Sequence, residues 1–448
     1  MSLPAVPPTL QQIMAKLDPA QFGRLAFNRG QYIPDARYLH WDELRHRPPP
    51  AGISHEEWWL FIKWGRQSQA RTLPLLDKQG DTFSYVLAEP VLKALRYIDR
   101  HAGGADYLGN SNIDSAERDR YLFNQLMEEA ITSSQMEGAS TTRRVAEEML
   151  RSGRKPVDVS ERMIYNNFEA MRRIQQIAQT DLTPALIGEI HRIITSGTLE
   201  NPEDEGRLRQ DDTVKVVDNR DGTVLHQPPL AAELGLRMQA LCHFANQTED
   251  DEPYCHPVVR AILLHFMLAY DHPFADGNGR TARALFYWAM VRHGYSLMEY
   301  VSISSVLRKA SGQYKRAYLY TETDAGDVTY FLLNQLDVIE AALHALRDYL
   351  AKAQAEMQQT SQLLGTLKDR EKLNLRQIAL LTGALKGRSE AYTIDSHRRS
   401  HGISYATARQ DLMDLTALGF LQEQKAGKAF HYFAPFDLRE IIIRSEQE

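Results

Sequence analysis

The stretch His272-Pro273-Phe274-Ala275-Asp276-Gly277-Asn278-Gly279-Arg280-Thr281-Ala282-Arg283 separates two apolar segments. Pro257–Asp271 is apolar almost all round, the pattern of a buried central helix. Thr281–His293 repeats that character and stops before Gly294. A tight loop with two glycines therefore joins two buried helices, the second starting near Arg280. Gly277 and Gly279 let backbone N–H groups turn toward one point. That point faces a helix N-terminus, an arrangement that attracts phosphate. Arg280 and Arg283 stand three apart on the first helical turn and add charge for a polyphosphate. Asp276 offers a hard oxygen ligand suited to Mg²⁺ bridging phosphates. His272, at the loop entrance, can take a proton near neutral pH. Singly each feature is ordinary, since a lone His at a helix end is mostly structural and Gly-x-Gly is mostly a turn. Together they describe nucleotide phosphate chemistry.

Outward from this loop the chain reads as helical from about Ser115 to Leu350. Helices are expected over Glu117–Gly138, Ser160–Thr180, Pro184–Thr195 and Leu230–Asn246, with Gly138 as a stop. Thr213–His226 breaks the pattern. TVKVV and TVLH flank Asp218-Asn219-Arg220-Asp221-Gly222, which predicts a short β-hairpin whose edge could accept an extended peptide. Glu340–Leu367 reads as a long polar helix. Residues 1–114 form an N-terminal segment of uncertain α/β character, with a hairpin over Asp77–Leu87 turning near Gly80-Asp81. Trp41, Trp58, Trp59 and Trp64 in this segment are read as core rather than as a binding surface.

From about Asn374 the pattern becomes two short helices, a turn and a hairpin. Ile378–Leu381 lies on the first helix, and Ser404 caps the second, which carries Arg409 and Gln410. Gly419-Phe420-Leu421 leads into Phe430-His431-Tyr432-Phe433, which makes a winged helix-turn-helix. The fold class expected is mostly α, with a small β-hairpin flap and a C-terminal winged helix-turn-helix.

Composition narrows the function classes. The 448 residues carry 52 Lys and Arg against 58 Asp and Glu, a formal charge of −6. That balance argues against a protein whose whole surface grips nucleic acid or an anionic membrane. Two cysteines, Cys242 and Cys255, cannot build a disulfide framework or a four-thiolate zinc site. The N-terminal residues show no basic segment followed by an apolar one, and a soluble cytoplasmic protein is expected.

The pattern around His272 resembles the Fic family signature His-x-Phe-x-Asp/Glu-Gly-Asn-Gly-Arg-x-x-Arg, and every fixed position is matched. The resemblance extends over a core of residues 115–350, followed by a linker helix and winged-helix domain over 351–448. It implies transfer of AMP from ATP, with Mg²⁺, to a Ser, Thr or Tyr hydroxyl of a protein. His272 would be the general base and Asp276 the Mg²⁺ ligand. Gly277, Asn278 and Gly279 would form the anion nest, with Asn278 on the α-phosphate. Arg280 and Arg283 would hold the outer phosphates, and Phe274 would anchor the loop in the core. Doc-type relatives that phosphorylate carry Lys where this chain has Gly279, so the adenylylating orientation is implied.

Ser133-Ser134-Gln135-Met136-Glu137-Gly138 resembles the family's inhibitory pattern Ser/Thr-x-x-x-Glu-Gly/Asn. By that resemblance Glu137, on a helix over about 117–138 with Ser133 and Gly138, pairs with Arg283 and blocks γ-phosphate placement. In some relatives the same Glu supports removal of AMP. The hairpin 213–226 sits where the family carries its target-docking flap, and Arg209 in Gly206-Arg207-Leu208-Arg209 is structural or site-supporting. The partners implied are a protein target, the chain itself included, and a second copy in a homodimer. Arg398, Arg399, Arg409, Lys425 and Lys428 make DNA a candidate partner of the tail. Two alternatives stand beside an autoinhibited adenylyltransferase: a nucleotide-sensing, DNA-binding transcription regulator, and an enzyme whose main direction is AMP removal.

Overall fold

The computed structural model describes residues 3–19, 23, 37–103, 115–218, 220–371, 373–385, 391–426 and 429–445. They divide into two units, Met1–Leu346 and Arg347–Glu448. The first is built around two packed helices, Pro257–Asp271 and Asn278–Arg292. Every residue of Pro257–Asp271 is buried except Ala269. Asn278–Arg292 is likewise buried from Asn278 to Met290, with Gly279 as the gap. A helix apolar on all faces has to be surrounded, and the helices Ser115–Met136, Val159–Ile177, Pro184–Thr195 and Leu234–Asn246 provide the cover. Ala269 and Gly279 are the places where the cover opens, onto one cavity.

The Ser115–Met136 helix ends at Gly138, whose φ of 99° is the left-handed conformation a side chain resists. The amide of Ala139 then closes back onto the Ser134 carbonyl at 3.0 Å. The flap is a short antiparallel pair, Val216–Val217 with Val224–His226. Of its expected turn, Asn219 lies outside the described residues.

Two elements start earlier than expected. The N-terminal hairpin pairs Arg71–Leu76 with Thr82–Tyr85, and 77–81 is its turn rather than a strand. The Asp77 carboxylate accepts the amides of Gln79 and Asp81 at 2.8 and 2.9 Å, an Asx-type closure that removes these residues from pairing. The long helix spans Thr329–Glu371, because Phe331, Leu332 and Leu336 are fully buried and extend it into the core. The tryptophans sit as expected. Trp58 and Trp59 are buried with Ile13, Leu44 and Leu60, and Trp41 and Trp64 pack against them. Arg66 ties this region to the long helix. Its guanidinium lies 3.5 Å over the Tyr38 ring and donates to the Tyr330 hydroxyl at 2.6 Å.

In the second unit, helices Leu375–Leu385, Ile394–His401 and Tyr405–Ala417 precede an antiparallel pair, Gln422–Ala426 with Ala429–Phe433. Tyr392 bridges to Tyr432 as a third extended segment, and Leu438–Ser445 follows. Leu381, Leu412, Leu415, Phe420 and Tyr432 form its core. Ser404 caps the Tyr405–Ala417 helix through the Thr407 amide, and Arg409 and Gln410 are exposed on it. Lys428 lies outside the described residues.

Candidate active site

The Pro257–Asp271 helix ends at His272, which adopts φ 45° and ψ 56° and donates its amide to the Leu268 carbonyl at 3.1 Å. A non-glycine residue in this region costs about 1–3 kcal/mol, and the surroundings must hold it there. Arg209 is one of the holders. It is buried, and donates to the carbonyls of His272 at 3.0 Å, Asp211 at 2.7 Å and Pro229. Its own amide donates to the Pro273 carbonyl at 2.9 Å. The His272 ring places Nδ1 3.2 Å from the Ala269 carbonyl. A carbonyl only accepts, so Nδ1 carries the proton and Nε2 is left to take one. Burial lowers the His272 pKa below the usual histidine value, against the bond to Ala269. The imidazole is therefore neutral at pH 7, the form a base requires.

Beyond His272 the loop is held from inside. Phe274 is 1% exposed. The Asn278 carboxamide is committed to the loop at both ends. Its oxygen accepts the Phe274 amide at 2.9 Å, and its nitrogen donates to the Phe274 carbonyl at 2.8 Å. What Asn278 can offer a phosphate is accordingly its backbone N–H, one of the first-turn donors with no acceptor inside the helix. Gly277 opens the nest with φ 81°, and a Cβ there would lie 2.6 Å from Thr195 Cγ2.

His191 is a loop-shaping residue that the sequence reading missed. Its ring stacks on Phe274 at 3.7 Å between centroids, nearly coplanar. Nδ1 accepts the Gly206 amide at 2.9 Å, so Nε2 carries the proton and donates to the Asp276 carbonyl at 2.8 Å. One imidazole thus joins three segments that are distant in sequence. Burial pushes its pKa down to about 4.

A consequence is acid sensitivity. The folded His191 resists protonation down to pH about 4, whereas the unfolded side chain takes a proton below about 6.5. The unfolded state then binds more protons across that window. Stability is full above pH 6.5 and is lost as pH falls through it. His265, pushed down to about 3 by burial, acts in the same direction. Thermal midpoints measured from pH 7.5 to 4.5 are expected to fall continuously below pH 6.5, and the fall should be shallower in His191→Gln.

Arg280 and Arg283 are both 1% exposed. Arg280 donates to the Ile194 carbonyl at 3.2 Å and approaches Asp276 at 3.4 Å, while among the described residues its Nε has no hydrogen-bond partner. Arg283 donates to the Ser133 hydroxyl at 2.8 Å, the Ser133 carbonyl at 3.1 Å and the Glu137 carboxylate at 2.8 Å. Burial opposes the Glu137 charge, but Arg283 overrides it and holds the carboxyl below its ordinary range. Glu137 also lies over the nest. A Cβ on Gly279 would sit 2.1 Å from Glu137 Oε1, so no side chain fits at 279 while Glu137 occupies this seat.

His272, Gly279, Arg283 and Glu137 face one cavity of about 360 Å³, closed on other sides by Tyr314 and by Leu225 of the flap. The Asp276 carboxylate is 64% exposed. Among the described residues no group of three or more His, Cys, Asp or Glu side chains could hold a metal ion. A single accessible carboxylate suits Mg²⁺, which takes one or two protein oxygens and completes its shell with water and phosphate. No helix among the described residues is long and apolar enough to cross a membrane.

Residues 181–290 match the Fic/DOC family. The protein adenylyltransferase Fic of Drosophila grimshawi is 43% identical over 70 residues, which cover 16% of this chain and 14% of that protein. Its counterpart from Drosophila virilis is 29% identical over 198 residues, 44% of this chain and 38% of that protein. The chain thus spans less than two-fifths of the length of these relatives. Among solved structures, a Fic family protein from Desulfovibrio desulfuricans aligns with a TM-score of 0.50 and 16% identity, covering 77% of this chain and 96% of that one. The fold is shared.

Proposed function

For a chain that carries a Fic domain, we propose protein adenylylation: transfer of AMP from ATP to a Ser, Thr or Tyr hydroxyl, restrained by Glu137. The observation that carries this reading is the meeting of a neutral His272, the first-turn N–H groups of the Asn278–Arg292 helix and a buried Arg283 on one cavity. In the reaction the target oxygen bonds to the α-phosphorus, the bond from that phosphorus to the bridging oxygen breaks, and pyrophosphate leaves. His272 Nε2 takes the hydroxyl proton. The N–H groups of Asn278, Gly279 and Arg280 neutralise charge on the phosphates, and Arg283 receives the γ-phosphate once Glu137 leaves it. Asp276 would hold Mg²⁺ there, and the ion would neutralise further phosphate charge. The flap edge would align the target backbone.

Incubation with ATP and Mg²⁺ followed by intact mass is the direct test. A gain of one AMP on the chain itself, or on a protein supplied with it, is expected. A gain of one phosphate instead would overturn the reading.

For residues 373–445 we read a winged helix. The order of three helices and a hairpin supports it, as does the exposed Arg409. Residues 347–448 hold 15 Lys and Arg against 13 Asp and Glu, in a chain that is acidic overall. The unit is thus close to neutral rather than acidic, which leaves room for a local basic patch such as a nucleic-acid partner requires.

A further inference from the structure

Glu129 is a buried carboxylate, 2% exposed, that the chemistry above does not use. It accepts four hydrogen bonds, from the Tyr287 hydroxyl at 2.9 Å, the Ser302 hydroxyl at 2.8 Å, the Ser304 amide at 3.0 Å and the Ser304 hydroxyl at 2.5 Å. None of these donors is a cation. A buried carboxylate is costly unless it is hydrogen-bonded; Oε2 accepts three of these bonds and Oε1 the fourth.

Its position matters more than its burial. Glu129, Ser133 and Glu137 are spaced four apart, so they form one stripe along the Ser115–Met136 helix and its terminal turn. Arg283 and Tyr287 are spaced four apart on the facing Asn278–Arg292 helix. Tyr287 meets Glu129, and Arg283 meets Ser133 and Glu137. The two helices are thus joined by a two-rung ladder. The upper rung lies about 12 Å along the helix from Glu137, outside the cavity.

We infer that Glu129 is a positioning residue that fixes the register of the inhibitory helix, so that occupation of Arg283 by Glu137 depends on the buried cluster of Tyr287, Ser302 and Ser304. The logic is geometric. Glu137 stands at the end of its helix and is one-third exposed, with Arg283 as its carboxylate's anchor. A slip of one turn, about 5.4 Å, would remove it from the guanidinium. The Glu129 rung opposes such a slip because its four donors cannot be matched by a neighbouring residue of the helix. A one-turn slip would bring Gln125 or Ser133 to these donors, and neither carries a carboxylate.

The inference rests on the inhibitory role of Glu137 proposed above. Its test therefore reads register separately from activity. Hydrogen exchange is measured on the full chain without nucleotide, for wild type, Glu129→Gln and Ser304→Ala. Gln keeps the shape but loses the charge and one acceptor oxygen. Ser304→Ala removes one donor and leaves the charge in place. Amides of residues 132–139 are expected to exchange at least tenfold faster in both variants, while those of 257–292 keep their protection. Unchanged exchange at 132–139 in a folded variant would overturn the inference. So would loss of protection across 257–292, which would make Glu129 a general anchor of the fold. Ser304→Ala decides the matter if Glu129→Gln does not fold. In AMP transfer, Glu129→Gln should raise the rate several-fold with Glu137 present and add nothing in Glu137→Gly. An equal rise in both backgrounds counts against it. If Glu137→Gly itself transfers no AMP, the adenylylation reading fails and exchange still decides the role of Glu129.

Discussion

His272→Ala is expected to lower AMP transfer by about 10²–10⁴-fold, the range contributed by a positioned general base. The case rests on the protonation pattern of the ring. Nδ1 is fixed as a donor by Ala269, and burial keeps the imidazole neutral, so Nε2 is a base at neutral pH without any further adjustment. The sign of the pH dependence follows. Because the folded pKa lies below the usual histidine value, activity should hold at pH 7 and fall only on the acid side. A competing explanation for loss of activity is collapse of the loop, since position 272 has φ 45° and Ala tolerates that conformation poorly. His272→Asn separates the two, because Asn enters the left-handed region more readily and cannot act as the base. Both variants should be inactive with ATP binding retained, measured by the thermal shift that ATP produces. Activity above a tenth of wild type in either variant would remove His272 from the role of base.

The loop was legible because all its members lie within twelve consecutive positions, where spacing alone fixes geometry. A glycine capping a helix, another in its first turn and two arginines three apart on it meet in space whatever the rest of the chain does. The details depend on what comes from elsewhere. The resemblance implies Asn278 as a phosphate ligand, yet its side chain is consumed by the Phe274 backbone. His191 carried no signal at all. A single His among apolar helix residues looks like a core residue, and its role appears only when Gly206, Phe274 and Asp276 gather around it. Glu137 and Arg283 are 146 positions apart, and no periodicity connects them. That pair came from a resemblance, and without it Glu137 would have read as an exposed helix-end acid. Glu129 was equally hidden, because its donors are two serines and a tyrosine with no spacing in common. The early start of the Thr329–Glu371 helix has a plainer cause: its first turns are buried and apolar, and so carry no amphipathic pattern.

Glu137→Gly should act in the opposite direction to the loss of His272. AMP transfer is expected to rise by about 5–150-fold, which corresponds to a coupling of about 1–3 kcal/mol between inhibitory contact and productive nucleotide. On the proposed reading the carboxylate and the γ-phosphate would compete for one guanidinium, which Glu137 already holds and which is buried. Position 137 lies just past the helix end, and glycine there costs little conformationally. The consequence for stability has the reverse sign. In that variant without nucleotide, Arg283 keeps its contacts to Ser133, and a buried guanidinium that loses its carboxylate destabilises the fold. Glu137 is one-third exposed, so the penalty should be smaller than for a sealed pair, about 1–2 kcal/mol. ATP then refills the place of the carboxylate and should raise the thermal midpoint of Glu137→Gly more than that of wild type. A more active, less stable protein that gains more from ATP is the combined signature of a carboxylate standing in for a phosphate. Adding His272→Ala should remove the transfer while leaving the enlarged ATP shift. Equal transfer by Glu137→Gly and wild type at matched ATP and Mg²⁺ would show that Arg283 is not the point of competition, and the ion pair would then be a packing contact.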